Sequence, residues 1–254
     1  MSDESIKRLL AAYPRVRPPL PEALAAIYED IYRSNREGRT AAASLSQKLE
    51  GWLHRMVAQD CLHLPSAKST LELGAGTLNQ LEYEPQRGLY DIVEPFRRLY
   101  ESRPALTRIG TIYADIGAVP ASSRYDRITS VATLEHLTDL PFVVAKSALH
   151  LSADGVFRAA IPGEGGLLWW LGWNLTTGLE FRLRHGLDYG DLMRHEHVNT
   201  ADEIFEILGY FFGRVETRVF GLTKRLSIYR FHACTAPNVE RCVAYLAAVG
   251  KAWG

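Results

Sequence analysis

The stretch Leu71-Glu72-Leu73-Gly74-Ala75-Gly76-Thr77 constrains this chain more than any other, because a short apolar run breaks into two glycines one residue apart. Glycine takes up backbone angles that other residues avoid, and without a Cβ it lets another group approach the main chain closely. The pattern reads as a strand entering a tight turn, which serves either as a plain strand–helix connection or as the floor of a ligand site. A phosphate-binding loop of the form G-x-G-x-x-G is disfavoured, since Asn79 stands where its last glycine belongs. Glu72, two places before the first glycine, suits instead a ligand that carries an ammonium group, reached through water or backbone.

From Thr70 onward, short apolar runs alternate with helical patterns. STLELGAG, LYDIVEP, IGTIYADI, YDRITSVATLEHL and GVFRAAIP are strand-like, and PFRRLYESR and LPFVVAKSALHL are helix candidates between them. Alternation of this kind predicts a parallel sheet with crossover helices. Further on, Thr200-Ala-Asp-Glu203 is a capping box that opens a helix through Leu208. GRVETRVFG and RLSIYRFHACT predict an antiparallel pair, and NVERCVAYLAAVG a closing helix. Ahead of the sheet the chain reads as helical. A short leading helix is followed by PEALAAIYEDIYRSNREG and TAAASLSQKLEGWLHRMVAQDCL, set apart from it by Pro14, Pro18, Pro19 and Pro21.

Carboxylates recur where these strands end. LYDIV runs into Glu94 and Pro95, and a carboxylate at a second strand's tip can accept both hydroxyls of a ribose. The plainer alternative is an acid complementing a helix N-terminus, for which Pro95 is a natural first residue. Asp115, with Ile116 beside it, ends the third strand. It is placed to accept from an adenine amino group while Ile116 packs on the ring, or it is a solvated strand-end aspartate. Thr133, Leu134 and His136 follow the fourth strand in Val131-Ala-Thr-Leu-Glu-His-Leu137.

Composition narrows the partners. Lys+Arg and Asp+Glu both number 29 in 254 residues, so no basic excess marks the chain for nucleic acid. Three scattered cysteines, with no CxxC pair, suit a reducing cytoplasm. The acidic N-terminus lacks the apolar core of a secretory signal. The longest apolar stretch, Gly166–Trp173, is far shorter than the ~20 residues of a membrane span, which leaves peripheral membrane contact through 166–175 as the most this insert offers.

The segments LELGAGT, IVEP, ADI and SVATLEHL, in this order and spacing, resemble the class I S-adenosylmethionine-dependent methyltransferases. The likeness covers about Ser69 to Gly163. It implies a Rossmann-like seven-stranded α/β sheet, mostly parallel with an antiparallel last strand, in a single domain. That domain comprises an N-terminal helical cap (1–66), a cofactor core (67–162), an acceptor lid (163–199) and a terminal helix, strand pair and helix (200–254). It implies S-adenosyl-L-methionine as cofactor, with Glu72, Gly74, Ala75 and Gly76 at the methionine end and Glu94, followed by Pro95, at the ribose. Asp115 and Ile116 fall at the adenine, and Thr133 and Leu134 at the wall near the sulfonium. Members often carry a third glycine where this chain has Leu78.

For the acceptor, the resemblance implies a small molecule, sugar or lipid-linked glycan methylated on a hydroxyl, with a histidine as general base. His136 and His195 are the candidates, each with a purely structural alternative as a cap or backbone hydrogen bond. His195 and His197 share the segment His195-Glu-His197-Val-Asn199, where a strand would point both rings to one side. They could contact substrate, act as base or hold a metal, although the spacing fits no defined metal motif and no metal is assigned. His197-Val-Asn199 resembles a segment of methyltransferases associated with bacterial surface-glycan synthesis. Trp169, Trp170 and Trp173 suit an acceptor lid, a lipid interface, a core helix or a homodimer contact. A non-catalytic binding subunit with the same fold is the alternative to an enzyme. A nucleic-acid methyltransferase is disfavoured by the absence of an N/D-P-P-Y/F motif.

Overall fold

The computed structural model describes residues 3–28, 41–62, 68–85, 88–251 and 253. Seven strands form one sheet: β1 (Thr70–Leu73), β2 (Tyr90–Val93), β3 (Ile112–Tyr113), β4 (Tyr125–Val131), β5 (Leu151–Pro162), β6 (Phe212–Gly221) and β7 (Ser227–Pro237), in the order β3-β2-β1-β4-β5-β7-β6. The first five pair in parallel, while β7 runs antiparallel to both β5 and β6. The expected sheet is therefore present, with β7 as its one reversed strand. Chain order runs outward from β1 through β2 to β3 and then returns to β4 on the other side. The carboxyl ends of β1 and β4 thus form a topological switch point, where sheets of this type bind ligands.

Alternation along the strands sorts side chains onto two faces. Leu71, Leu73, Ile128, Phe157, Ala159 and Ile161 join the main apolar core. It is closed by α4 (Leu140–Leu149), α8 (Ala201–Phe211) and α9 (Val239–Ala248). The other face carries Ala160, Tyr229 and Phe231 against Leu53 and Val57 of α3 (Ala41–Ala58). Fully burying a side chain such as Leu71 or Phe157 contributes roughly 1.5–3 kcal/mol, so these faces hold the strand tips in place.

The described N-terminal helices lie on both faces of the sheet. α1 (Asp3–Ala11) places Ile6 and Leu10 in the main core, whereas α3 lies on the opposite face. The proline-rich connection is a strap rather than a spacer. Arg15 donates its amide to Thr138 O at 2.7 Å and its guanidinium to Glu203, and Arg17 donates to the carbonyls of His195, Glu196 and His136 at 2.7–2.9 Å. Of the second expected helix, α2 (Glu22–Ala25) is present, and 29–38 lie outside the described residues.

PFRRLYESR does not form an α-helix. It gives short 3-10 turns at Arg97–Leu99 and Pro104–Arg108. The Glu94 carboxylate takes the Phe96 amide at 2.9 Å, and Pro104 holds Arg103 in extended backbone. The Thr200 capping box is present in both directions, and its helix continues past Leu208 to Phe211. Between β5 and α8, the expected lid consists of α5 (Leu167–Trp173), a π-helical turn, α6 (Leu179–His185) and α7 (Tyr189–Glu196). No described helix is long and apolar enough to cross a membrane.

Candidate functional site

The β1 turn bends as its sequence demands. Gly74 and Gly76 take φ of 69° and 52°. A Cβ on Gly74 would fall 2.4 Å from the Thr133 side chain, so glycine there lets the turn after β1 lie directly on the turn after β4. Leu78, at the place of the family's third glycine, also takes a left-handed φ of 64° and leads into a 3-10 turn at Asn79–Glu82 instead of an α-helix.

Across the sheet, Leu73 is level with Val93, so Glu94 stands beside the turn. Its Oε2 accepts from the Gly76 amide at 2.7 Å and its Oε1 from the Phe96 amide. Each carboxylate oxygen keeps a further lone pair for a ligand hydroxyl. Glu72 lies buried in β1, where the Tyr90 hydroxyl donates to it at 2.9 Å. Burial pushes its carboxyl up to about 8, with the Glu84 and Glu94 charges adding to the effect against the Tyr90 hydrogen bond and Arg127. Asp115 turns its Oδ1 onto the amides of Gly117 and Ala118, and Ile116 packs into the main core. Leu134 is buried, and the Thr133 hydroxyl bonds to Val131 O at 3.0 Å.

Sequence reading missed what fixes this crevice from below. Arg127, in the middle of β4 and 1% exposed, forks onto both oxygens of Glu84 at 2.9 Å. It also reaches Asp60 at 3.0 Å and Thr70 at 3.0 Å. Glu84 accepts in turn from Gln80, which meets His54 of α3 at 2.8 Å. The one available signal was an arginine inside the otherwise strand-like YDRITSV.

Beyond β4, the turn Leu134–His136 meets the segment after α7. Val198 and Asn199 donate their amides to Glu135 O, and the Asn199 side chain donates to Leu134 O and Leu137 O at 2.8 and 2.7 Å. This stitching brings His136 and His197 edge to face, with ring centres 4.7 Å apart. His136 Nδ1 lies 2.9 Å from Glu196 O, and His197 Nδ1 lies 2.6 Å from Glu164 Oε2. Burial opposes the charged His136 imidazole, but the Glu196 hydrogen bond and the Glu135 charge outweigh it and raise its pKa. Glu196 is held down to about 2: burial favours its protonated form, and its bonds to His136 and Tyr28 override that.

His195 is not part of this pair. The segment is helical through Glu196, so His195 and His197 diverge instead of sharing a strand face. His195 is half-buried, with Nδ1 2.7 Å from Pro18 O on the strap. Glu164 carried no sequence signal, because only the fold brings it to His197. The three lid tryptophans also separate. Trp169 donates to Glu164 at 2.6 Å and stacks near His197, Trp170 is half exposed, and Trp173 packs on Tyr189.

No protein-family model and no curated protein matches the chain. Solved structures do. The CurJ carbon methyltransferase superposes with a TM-score of 0.55 at 18% identity, over 86% of this chain and 62% of that one, so the present chain spans less than two thirds of its length. The 1,6-didemethyltoxoflavin-N1-methyltransferase of Burkholderia thailandensis, crystallised with its namesake compound and S-adenosylhomocysteine, gives 0.54 at 15% identity over 88% and 94% of the two chains. The plantazolicin methyltransferase BpumL, in complex with a monoazolic desmethylPZN analog and S-adenosylhomocysteine, gives 0.56 at 11% over 91% and 98%. The fold is the Rossmann-like fold of class I S-adenosylmethionine-dependent methyltransferases.

Proposed function

We propose that the protein is an S-adenosylmethionine-dependent methyltransferase that methylates a hydroxyl of a small molecule, sugar or lipid-linked glycan. The observation that carries this reading is the Gly74–Gly76 turn joined to the Glu94 carboxylate at the sheet's switch point. In this reading Glu72, Gly74, Ala75 and Gly76 hold the methionine end, and Glu94, oriented by the turn at Pro95, accepts from the ribose. Asp115 and Ile116 bound the adenine, and Thr133 and Leu134 form the wall at the sulfonium.

S-adenosylmethionine supplies a methyl group already activated on sulfur. The protein's part is to align the acceptor and exclude water. The lid and the strap close over the His136–His197 side, and Trp169 offers an apolar wall there. With Nδ1 of His136 engaged by Glu196 O, Nε2 is the lone pair left to receive a hydroxyl proton. In this reading His136 is the base, while His195, turned to Pro18 O on the strap, supports the chain around it. Three unpaired cysteines agree with a reducing cytoplasm.

Calorimetric titration with S-adenosylmethionine and S-adenosylhomocysteine tests the cofactor, and transfer of labelled methyl to candidate hydroxyl acceptors tests the reaction. Binding of neither compound overturns the reading. Binding without transfer to any hydroxyl acceptor favours the non-catalytic subunit instead.

A further inference from the structure

Glu135, His136 and His197 each bring one donor atom to within 4.8 Å of the others. Glu135 is 1% exposed, and its Oε2 has no hydrogen-bond partner among the described residues. A buried carboxylate oxygen left unpaired is costly unless something compensates it. The histidines show what that something is. The Glu196 carbonyl and the Glu164 carboxylate can only accept, so both imidazoles carry their proton on Nδ1. Each ring is thereby held in the tautomer whose free lone pair is Nε2. Carboxylate or carbonyl partners on the far nitrogen are the usual support for metal-ligating histidines. The Glu164 partner is itself fixed by Trp169, and the Glu196 carbonyl also accepts from Arg17.

Three carboxylates, Glu135, Glu164 and Glu196, surround the two rings, with the Arg17 guanidinium 3.9 Å from Glu196 in partial compensation. The backbone bonds from Val198 and Asn199 to Glu135 O hold both segments in register before any ligand arrives.

We propose that Glu135, His136 and His197 bind a divalent transition-metal ion, of the class of Zn2+, Mn2+, Fe2+ or Co2+. Two imidazoles and one carboxylate select such ions over Mg2+ or Ca2+, which prefer oxygen donors alone. Bonds of ~2.0–2.2 Å draw the three donors inward by side-chain rotation and leave positions open for a further ligand. This deepens the proposed function, and only its catalytic use rests on that reading: an ion here would lower the pKa of a bound acceptor hydroxyl, so that its proton would pass to solvent instead of to His136 before the oxygen takes the methyl group and S-adenosylhomocysteine leaves.

The test uses the full chain dialysed against a chelator, titrated with Co2+ by visible absorption and with Zn2+ by calorimetry. S-adenosylmethionine binding is measured on the same samples. Stoichiometric uptake with visible Co2+ bands is expected. Glu135→Gln and His197→Asn should each abolish it, Glu164→Gln should weaken it 10–100-fold, and His195→Asn should leave it intact. No Co2+ uptake by the native chain, or uptake that survives His197→Asn, overturns the site. Cofactor binding in those samples reports separately on folding and on the methyltransferase reading.

Discussion

The Gly76 amide donates to Glu94 Oε2 at 2.7 Å, so the turn of β1 and the tip of β2 are joined through this one carboxylate. In the proposed function the carboxylate therefore has two duties, holding the turn open and accepting from the ribose. Glu94→Ala removes both, and charge-assisted bonds of this kind contribute about 1.5–3 kcal/mol. S-adenosylmethionine affinity should fall by at least tenfold in calorimetry. Glu94→Gln, which keeps one acceptor oxygen, should fall between the two. Equal affinity of Glu94→Ala and the parent chain would remove Glu94 from the site.

Leu78 is a buried leucine in left-handed backbone, packed with Ala75, Leu81, Tyr90, Ile92 and Tyr100. Removing its side chain costs about 2–5 kcal/mol, while the backbone angle itself costs a non-glycine residue about 1–2 kcal/mol. Elsewhere glycine is usually less stable than alanine. At this position the strain relief offsets that difference, so Leu78→Gly should be at least as stable as Leu78→Ala in urea unfolding. A glycine variant weaker by about 1 kcal/mol would show that the angle carries no strain.

The fold was legible because it is written locally, and so was the meeting of the glycine turn with the carboxylate at the next strand's tip. The strand, glycine turn and tip carboxylate of LELGAGT and IVEP lie in short segments, and the alternation that follows dictates a parallel sheet. The Thr200 capping box was equally local. What sequence could not yield depends on distant segments meeting. Glu164 reaches His197 only through the lid, and the strap over His136 is set by arginines whose acceptors are backbone carbonyls, which no side-chain pattern reveals. The missing helix after Glu94 has a different cause: the same carboxylate that marks the site takes the Phe96 amide and redirects the chain.

Arg127 bears on stability more than its place in an apolar strand suggests. It pairs with Glu84 and Asp60 while donating to Thr70 and to Val57 O. Taking away one partner of a buried pair costs about 3–5 kcal/mol, because the other charge stays buried alone. That is a large share of the ~5–15 kcal/mol that holds a typical protein folded. Arg127→Lys cannot reproduce the planar fork and should lower the melting temperature clearly. Arg127→Met should lower it further by stranding the Glu84 carboxylate, and adding Glu84→Gln to Arg127→Met should recover part of that loss. Additive losses in the double variant would mean that the two residues do not act as a pair.

Glu72 predicts how stability changes with pH. Its carboxyl lies near 4.5 in the unfolded chain and is pushed up to about 8 by burial in β1. Between these values the folded protein keeps a proton that the unfolded chain has released. Stability from this group is thus fully present below about 4.5, declines as pH rises, and is gone above about 8. Each pH unit in that window is worth about 1.4 kcal/mol for one proton. Glu72→Gln cannot ionise, so it should match the parent near the acid end of the window and exceed it in melting temperature at its alkaline end. Parallel melting curves across the window would show that Glu72 ionises without penalty, and with it that the base of the crevice admits water.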